Sequence, residues 1–225
     1  KNDIRAMLAL ADLAAGQGNE KASLQWLEKA ARANAKAYAP HARLVQHHLA
    51  NKRHKEALEI ANALAQAAPD SAEAMALLGQ AQLASGDANA SIASYEKALR
   101  LAPDDPELSY RLGLAQLAAK RMREARTSLE KALASERGYI PAFDALIQLD
   151  LQDKKPEAAL ARIRQIQTRF PGSPIAYDRE GAVHMAQGNP GAAIPAYRQA
   201  LARGAQAGTL IMLHRALLST GNTTQ

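Results

Sequence analysis

Four of the six histidines in this 225-residue chain, His41, His47, His48 and His54, fall close together, and clustered imidazoles are what a zinc or copper site requires. Their spacing works against that chemistry. On a helix His41 and His48 share a face, but the two turns between them span about 10 Å, too far to share one ion. The chain has no Cys, and no carboxylate stands at ligand spacing beside these histidines. No metal and no cofactor is expected. Catalytic templates are missing as well: there is no Gly-x-Ser-x-Gly elbow, no glycine loop to cradle a phosphate, no His-Glu-x-x-His and no carboxylate pair in an apolar setting. The expectation is a non-enzyme. What does recur is chemistry suited to binding, because Arg43, Arg111 and Arg179, spaced 68 apart, are planar forks that fit carboxylates.

Residues so far apart act on one surface only if the chain repeats. Pro69, Pro103 and Pro171 are separated by 34 and 68 residues, and so are Gly79, Gly113 and Gly181, and Ala98, Ala132 and Ala200. Gly18, Gly86 and Gly188, each followed by Asn or Asp, fall at 68 and 102, and Gly221-Asn222 arrives 33 later, which implies one deletion near residue 205. The units run 4–37, 38–71, 72–105, 106–139, 140–173 and 174–206, followed by a half unit at 207–225.

Each unit reads as two helices. In 72–105, Met75, Leu78, Gly79 and Gln82 lie at i, i+3, i+4 and i+7, and Ile92, Tyr95, Ala98 and Leu99 make a facing stripe. Gly86 ends the first helix and Asp87 caps the second, as Asn189 does ahead of Pro190; Asp105-Pro106 and Ser173-Pro174 open first helices by the same chemistry. The sequon Asn89-Ala90-Ser91 is read as part of a helix start. Gly costs about 0.5 to 1 kcal/mol inside a helix, so Gly79, Gly113 and Gly181 predict a close approach, with a small Ala of the paired helix packed onto that spot.

These residues resemble the tetratricopeptide repeat. Units 72–105 (Met75, Leu78-Gly79, Ile92, Tyr95, Ala98, Pro103) and 174–206 (Tyr177, Gly181, Ala193, Tyr197, Ala200) carry its pattern. The likeness is weaker at 38–71, where Val45 replaces the Gly and His41 the large apolar residue, and at 140–173, where Ile147 replaces the Gly; looser packing is expected there. The resemblance implies an all-α fold, a right-handed α-α superhelix whose first helices line a concave groove. Six and a half units would complete most of one superhelical turn. The Ala-rich stretch from Ala158 through Gln165-Ile166-Gln167 to Tyr177 and Glu180-Gly181 is similar to the tetratricopeptide-repeat lipoproteins of bacterial PEP-CTERM/exosortase exopolysaccharide systems. That likeness implies the cell envelope, periplasmic or outer-membrane associated, with any lipid anchor upstream of Lys1 in a longer protein.

In such a groove the free stripe of the first helices includes Asp12, Gln46, Gln80, Tyr110, Leu114, Asp144, Gln148 and Asp178, with Met185 adding apolar contact and Arg43, Arg111 and Arg179 along its edge. The places where some family members clamp a terminal carboxylate with Lys and Asn hold Ala76, Gln80, Tyr110 and Leu114 here. A peptide or partner protein held by mixed polar and apolar contacts is the expected ligand. The half unit has one apolar face and no helix after it, which points to a cap or to self-association through the array ends.

Composition leaves two alternatives to weigh. The formal net charge is +6, but unit charges run only from −3 in 72–105 to +3 in 106–139, without the concentrated basic face that phosphate binding needs. The densest basic run, Lys120, Arg121, Arg123 and Arg126, falls at a turn between helices. Nine aromatics offer few platforms for bases or sugars, so neither nucleic acid nor direct polysaccharide binding is the preferred reading. No run of 18 apolar residues is present to span a membrane.

Overall fold

The structure, a computed structural model, describes residues 3–134 and 139–221. Asn222 and residues 135–138 of the fourth unit therefore lie outside it. Among the described residues there are thirteen α-helices and no strand. They are α1 (Ile4–Gly16), α2 (Glu20–Ala33), α3 (Tyr38–Ala50), α4 (His54–Ala67), α5 (Ala72–Ala84), α6 (Ala88–Leu101), α7 (Pro106–Ala118), α8 (Met122–Ala134), α9 (Ile140–Gln152), α10 (Pro156–Arg169), α11 (Pro174–Ala186), α12 (Pro190–Ala202) and α13 (Ala207–Ser219).

The helices gather into two compact units, Lys1–Tyr139 and Ile140–Gln225. In the first, the hairpins α1/α2, α3/α4, α5/α6 and α7/α8 stack so that each touches its neighbours in sequence, and α5 also meets α3 and α7. In the second, α9/α10 and α11/α12 stack and α13 closes on α12. A single hairpin has two apolar stripes and cannot cover both, so burial is completed by the next hairpin. Ala42, Val45, Ala57, Leu64, Met75, Tyr95 and Leu112 belong to one continuous buried cluster of the first unit.

One backbone device repeats in every hairpin. Gly18, Gly86 and Gly188 have φ of 72°, 91° and 72°, and at the same register Lys52, Lys120 and Lys154 adopt φ of 58°, 60° and 58°. The next amide reaches back five residues at all six turns: Asn19 to the carbonyl of Ala14, Arg53 to His48, Asp87 to Gln82, Arg121 to Gln116, Lys155 to Asp150 and Asn189 to His184, at 2.8 to 2.9 Å. These are left-handed helix ends closed by the Schellman bond, and the three lysines occupy them at a steric cost glycine does not have. Asp87, Asp105 and Asn189 cap α6, α7 and α12 with their side chains as anticipated. Ser173 differs: it makes no side-chain cap bond, and Pro174 opens α11.

The helical glycines are close-approach positions, but the residue that needs the space is not the small Ala. A Cβ on Gly79 would lie 3.0 Å from the Tyr95 ring, on Gly113 2.8 Å from Leu129 and on Gly181 2.6 Å from the Tyr197 ring. Each large side chain lies sixteen residues on, buried against its glycine. Val45 and Ile147, which stand in the glycine position of α3 and α9, are fully buried, and the helices of those two hairpins approach less closely.

A polar clasp occupies the last turn of the first helices. The Ser94 hydroxyl donates to Gln82 Oε1 at 2.6 Å, Ser128 to Gln116 Oε1 at 2.8 Å, and Arg162 Nε to Asp150 Oδ2 at 3.1 Å. In the sequon, the Ser91 hydroxyl is fully buried and donates to the Gly79 carbonyl at 2.8 Å, which makes Ser91 a packing residue.

Candidate functional site

In the first unit the first helices α3, α5 and α7 follow one another and line a common cleft of about 220 Å³. Tyr38 enters from the first turn of α3. Glu73, Ala76, Leu77 and Gln80 come from α5, and Asp105, Glu107, Leu108 and Arg111 from the start of α7. Helical period places them: Glu73, Ala76 and Gln80 are i, i+3 and i+7, and Glu107 and Arg111 are i and i+4. Asp105 is the N-cap of α7, where its Oδ1 accepts the amides of Glu107 and Leu108. Ser71 donates its hydroxyl to Glu73 at 2.8 Å.

Arg111 is held in place by its own helix. Its Nε and Nη2 both donate to Glu107 Oε1, at 2.8 and 2.6 Å, and its guanidinium lies against the Tyr95 hydroxyl. Burial pulls its pKa down, but the Glu107 hydrogen bond and the nearby charges outweigh that and leave it raised. Tyrosines surround the pair. The rings of Tyr110 and Tyr139 meet at 5.1 Å, and the hydroxyls of Tyr38, Tyr95 and Tyr139 are raised above their ordinary value chiefly by burial, with Glu107 and Arg111 acting on all three.

The arginine forks read from the sequence are engaged within the chain. Arg43 pairs with Asp12 between α3 and α1, and Arg111 with Glu107. In the second unit Arg179 grips Asp144 with two bonds, 2.7 and 2.9 Å, and reaches Asp178 at 2.9 Å, while Thr209 donates to Asp178 at 2.6 Å. Asp178 and Arg179 line a second cleft, about 380 Å³, with Ile175 and Gln206. Gln46 and Gln148 are exposed on α3 and α9, and Leu114 is half-buried on α7. Met185 of α11 is half-buried and packs against the buried cluster that holds Tyr197, Leu213 and Leu217.

The histidines are dispersed. His41 is buried, and its Nδ1–H donates to the Ala37 carbonyl at 2.7 Å. His47 lies 3.2 Å from Glu20. Among the described residues, no three His, Cys, Asp or Glu side chains gather as metal ligands.

A family model described as tetratricopeptide repeat matches residues 82–149, and a second with the same description matches 145–208. Together they span more than half of the chain. The chain belongs to the tetratricopeptide repeat family. A tetratricopeptide repeat protein from Parabacteroides merdae superposes with a TM-score of 0.70 at 14% identity, covering 97% of this chain and 87% of that one. PilF of Pseudomonas aeruginosa gives 0.63 at 20% identity, over 82% of this chain and 85% of its own. YrrB, described as a tetratricopeptide repeat protein with an unusual peptide-binding site, gives 0.53 at 17% identity over 84% and 96%. These likenesses establish the all-α helical-repeat fold. No curated protein matches the chain in sequence. Tetratricopeptide repeat proteins generally mediate protein–protein contacts, and their fold is typically a non-catalytic scaffold.

Tyr38, Glu73, Glu107 and Tyr139 were not singled out from the sequence. The 34-residue interval between Glu73 and Glu107 was the available signal. Nothing in the sequence brings Tyr38 to them, because that depends on α3 packing beside α5.

Proposed function

We propose that this tetratricopeptide repeat chain is a non-catalytic scaffold that binds a peptide or partner protein against the first helices of its repeats. The observation that carries this reading is the α3/α5/α7 cleft, where Ala76 and Leu77 supply apolar floor and Gln80, Glu73 and Glu107 supply polar groups on one surface. Mixed lining of this kind suits recognition of a side chain within an extended or helical segment. The peptide-binding site named for YrrB gives the reading a parallel within the same fold. The test is affinity capture from native lysate with the intact chain and with a Tyr110→Ala, Arg111→Ala, Gln148→Ala variant. The partner set should shrink with the variant; an unchanged set would move the binding surface elsewhere.

The resemblance to lipoproteins of exopolysaccharide and protein-sorting systems supports a place in the bacterial cell envelope. Recovery of the native protein with the membrane and periplasmic fractions is the expected result, and recovery with the cytosol would remove that part of the proposal.

Self-association is a second reading, favoured by exposed Leu10 and Leu13 on α1 and Leu210, Ile211 and Leu218 on α13. Light scattering should then show a concentration-dependent oligomer that Ile211→Lys weakens.

A further inference from the structure

We propose that the α3/α5/α7 cleft selects a cationic side chain, Arg or Lys, on a peptide segment of the partner protein. This inference rests on the groove-binding reading and names the chemistry of its ligand. Three carboxylates, Glu73, Asp105 and Glu107, line the cleft against one guanidinium, Arg111, in a chain whose formal net charge is +6. The local field therefore has the opposite sign to that of the molecule as a whole, and low-dielectric walls concentrate it.

Arg111 does not invite an acidic ligand. Two of its donors already end on Glu107 Oε1, and its guanidinium lies against the Tyr95 hydroxyl, so it holds Glu107 in position at the cleft. An incoming carboxylate would meet three others at close quarters.

The tyrosines supply the second half of the argument. Four of the six in the chain, Tyr38, Tyr95, Tyr110 and Tyr139, converge on the Glu107–Arg111 pair. Tyr95 is buried beneath, whereas Tyr38 is 44% exposed, and Tyr110 and Tyr139 are half-buried. Aromatic faces beside carboxylates attract a guanidinium or ammonium by the ring quadrupole while covering its aliphatic stem. The small side chains of Ala72, Ala76 and Ala102 keep the space between them open.

The arrangement is specific to these repeats. At the register of Glu73 and Glu107 the other first helices carry Arg5, Ala39, Pro141 and Ile175. The pairing of Glu73 with Glu107 beside tyrosines thus belongs to α5 and α7 and is not repeated on α1, α3, α9 or α11.

A random 12-residue peptide library displayed on phage, panned against the full chain, tests this. The expected result is clones enriched in Arg and Lys. A synthetic peptide from such a clone should bind at least about ten-fold more weakly to Glu73→Lys, with a steep loss of affinity in salt. Glu73 is exposed, so this variant is expected to fold, and an unchanged helical spectrum and melting curve would verify that. Tyr38→Ala, a second variant, should weaken the same peptide without changing net charge. Clones that bind but carry no basic bias, or that bind Glu73→Lys as well as the original chain, would overturn the cationic assignment and leave groove binding standing. A chain that retains no peptide would overturn both.

Discussion

Asp150 accepts a 3.1 Å bond from Arg162 at the register where Gln82 accepts one from Ser94 and Gln116 from Ser128. The α9/α10 hairpin therefore closes with charges where α5/α6 and α7/α8 close with neutral groups. The Asp150 side chain is 2% exposed and that of Arg162 17%. Breaking a buried ion pair by removing one partner typically costs about 3 to 5 kcal/mol. Asp150→Ala should lower the melting temperature sharply. The exchange Asp150→Gln with Arg162→Ser, which copies the neighbouring clasp, should recover most of the loss; a double variant no better than the single would show that the pair is not interchangeable with the neutral clasp.

The glycine contacts predict a graded response. Alanine gains about 0.5 to 1 kcal/mol over Gly in a helix interior, whereas overpacking costs about 1 to 3 kcal/mol. At Gly79, where a Cβ would meet the Tyr95 ring at 3.0 Å, the two nearly cancel and Gly79→Ala should be mild. At Gly181 an added Cβ would fall 2.6 Å from the Tyr197 ring, so Gly181→Ala should destabilise. Leu at either position should be worse. Thermal melts that rank Gly181→Ala equal to Gly79→Ala would contradict the packing seen here.

Lys52, Lys120 and Lys154 hold left-handed backbone that Gly18, Gly86 and Gly188 hold without strain. Lys52→Gly, Lys120→Gly and Lys154→Gly should each stabilise, by on the order of 1 kcal/mol. The readout is a urea midpoint that rises with an unchanged slope.

Acid should loosen the first unit. Burial, reinforced by the neighbouring His47, lowers the His48 pKa below its ordinary 6.5, and its Nδ1 is buried without a hydrogen-bond partner. The folded state then binds fewer protons than the unfolded one, so stability present above pH about 6.5 falls as pH drops toward the folded value. His48→Gln should flatten that limb of a stability–pH curve.

Alkali acts through the tyrosines. The hydroxyls of Tyr38, Tyr95, Tyr139 and Tyr197 are raised by burial above 10.0, so their contribution is complete below that pH and declines as pH climbs through the folded values. Tyr95→Phe should reduce the alkaline loss, measured by melting between neutral pH and pH about 11.

The period of 34, the helical hairpins, the capping by Asp87 and Asn189 and the tetratricopeptide repeat family were legible in the residue order, because each depends on neighbours within one or two turns. Gly79, Gly113 and Gly181 announced a close approach for the same reason, since a helix tolerates Gly only where something else needs the room. Which side chain needed it was settled by helix pairing, which set Tyr95, Leu129 and Tyr197 against the glycines. Ion pairing was likewise a tertiary matter. Arg43, Arg111 and Arg179 read as available forks because a sequence shows charge without its partner, whereas stacking of adjacent hairpins brought Asp12 to Arg43 and Asp144 to Arg179, and the helical turn brought Glu107 to Arg111. Met185 lies on the predicted stripe, and its contact with the α12/α13 cluster, which half-buries it, is a tertiary matter too. Local spacing determines the repeat and its ends, and the 34-residue interval relates Glu73 to Glu107; the approach of Tyr38 to that pair depends on distances between helices, which no spacing along the chain encodes.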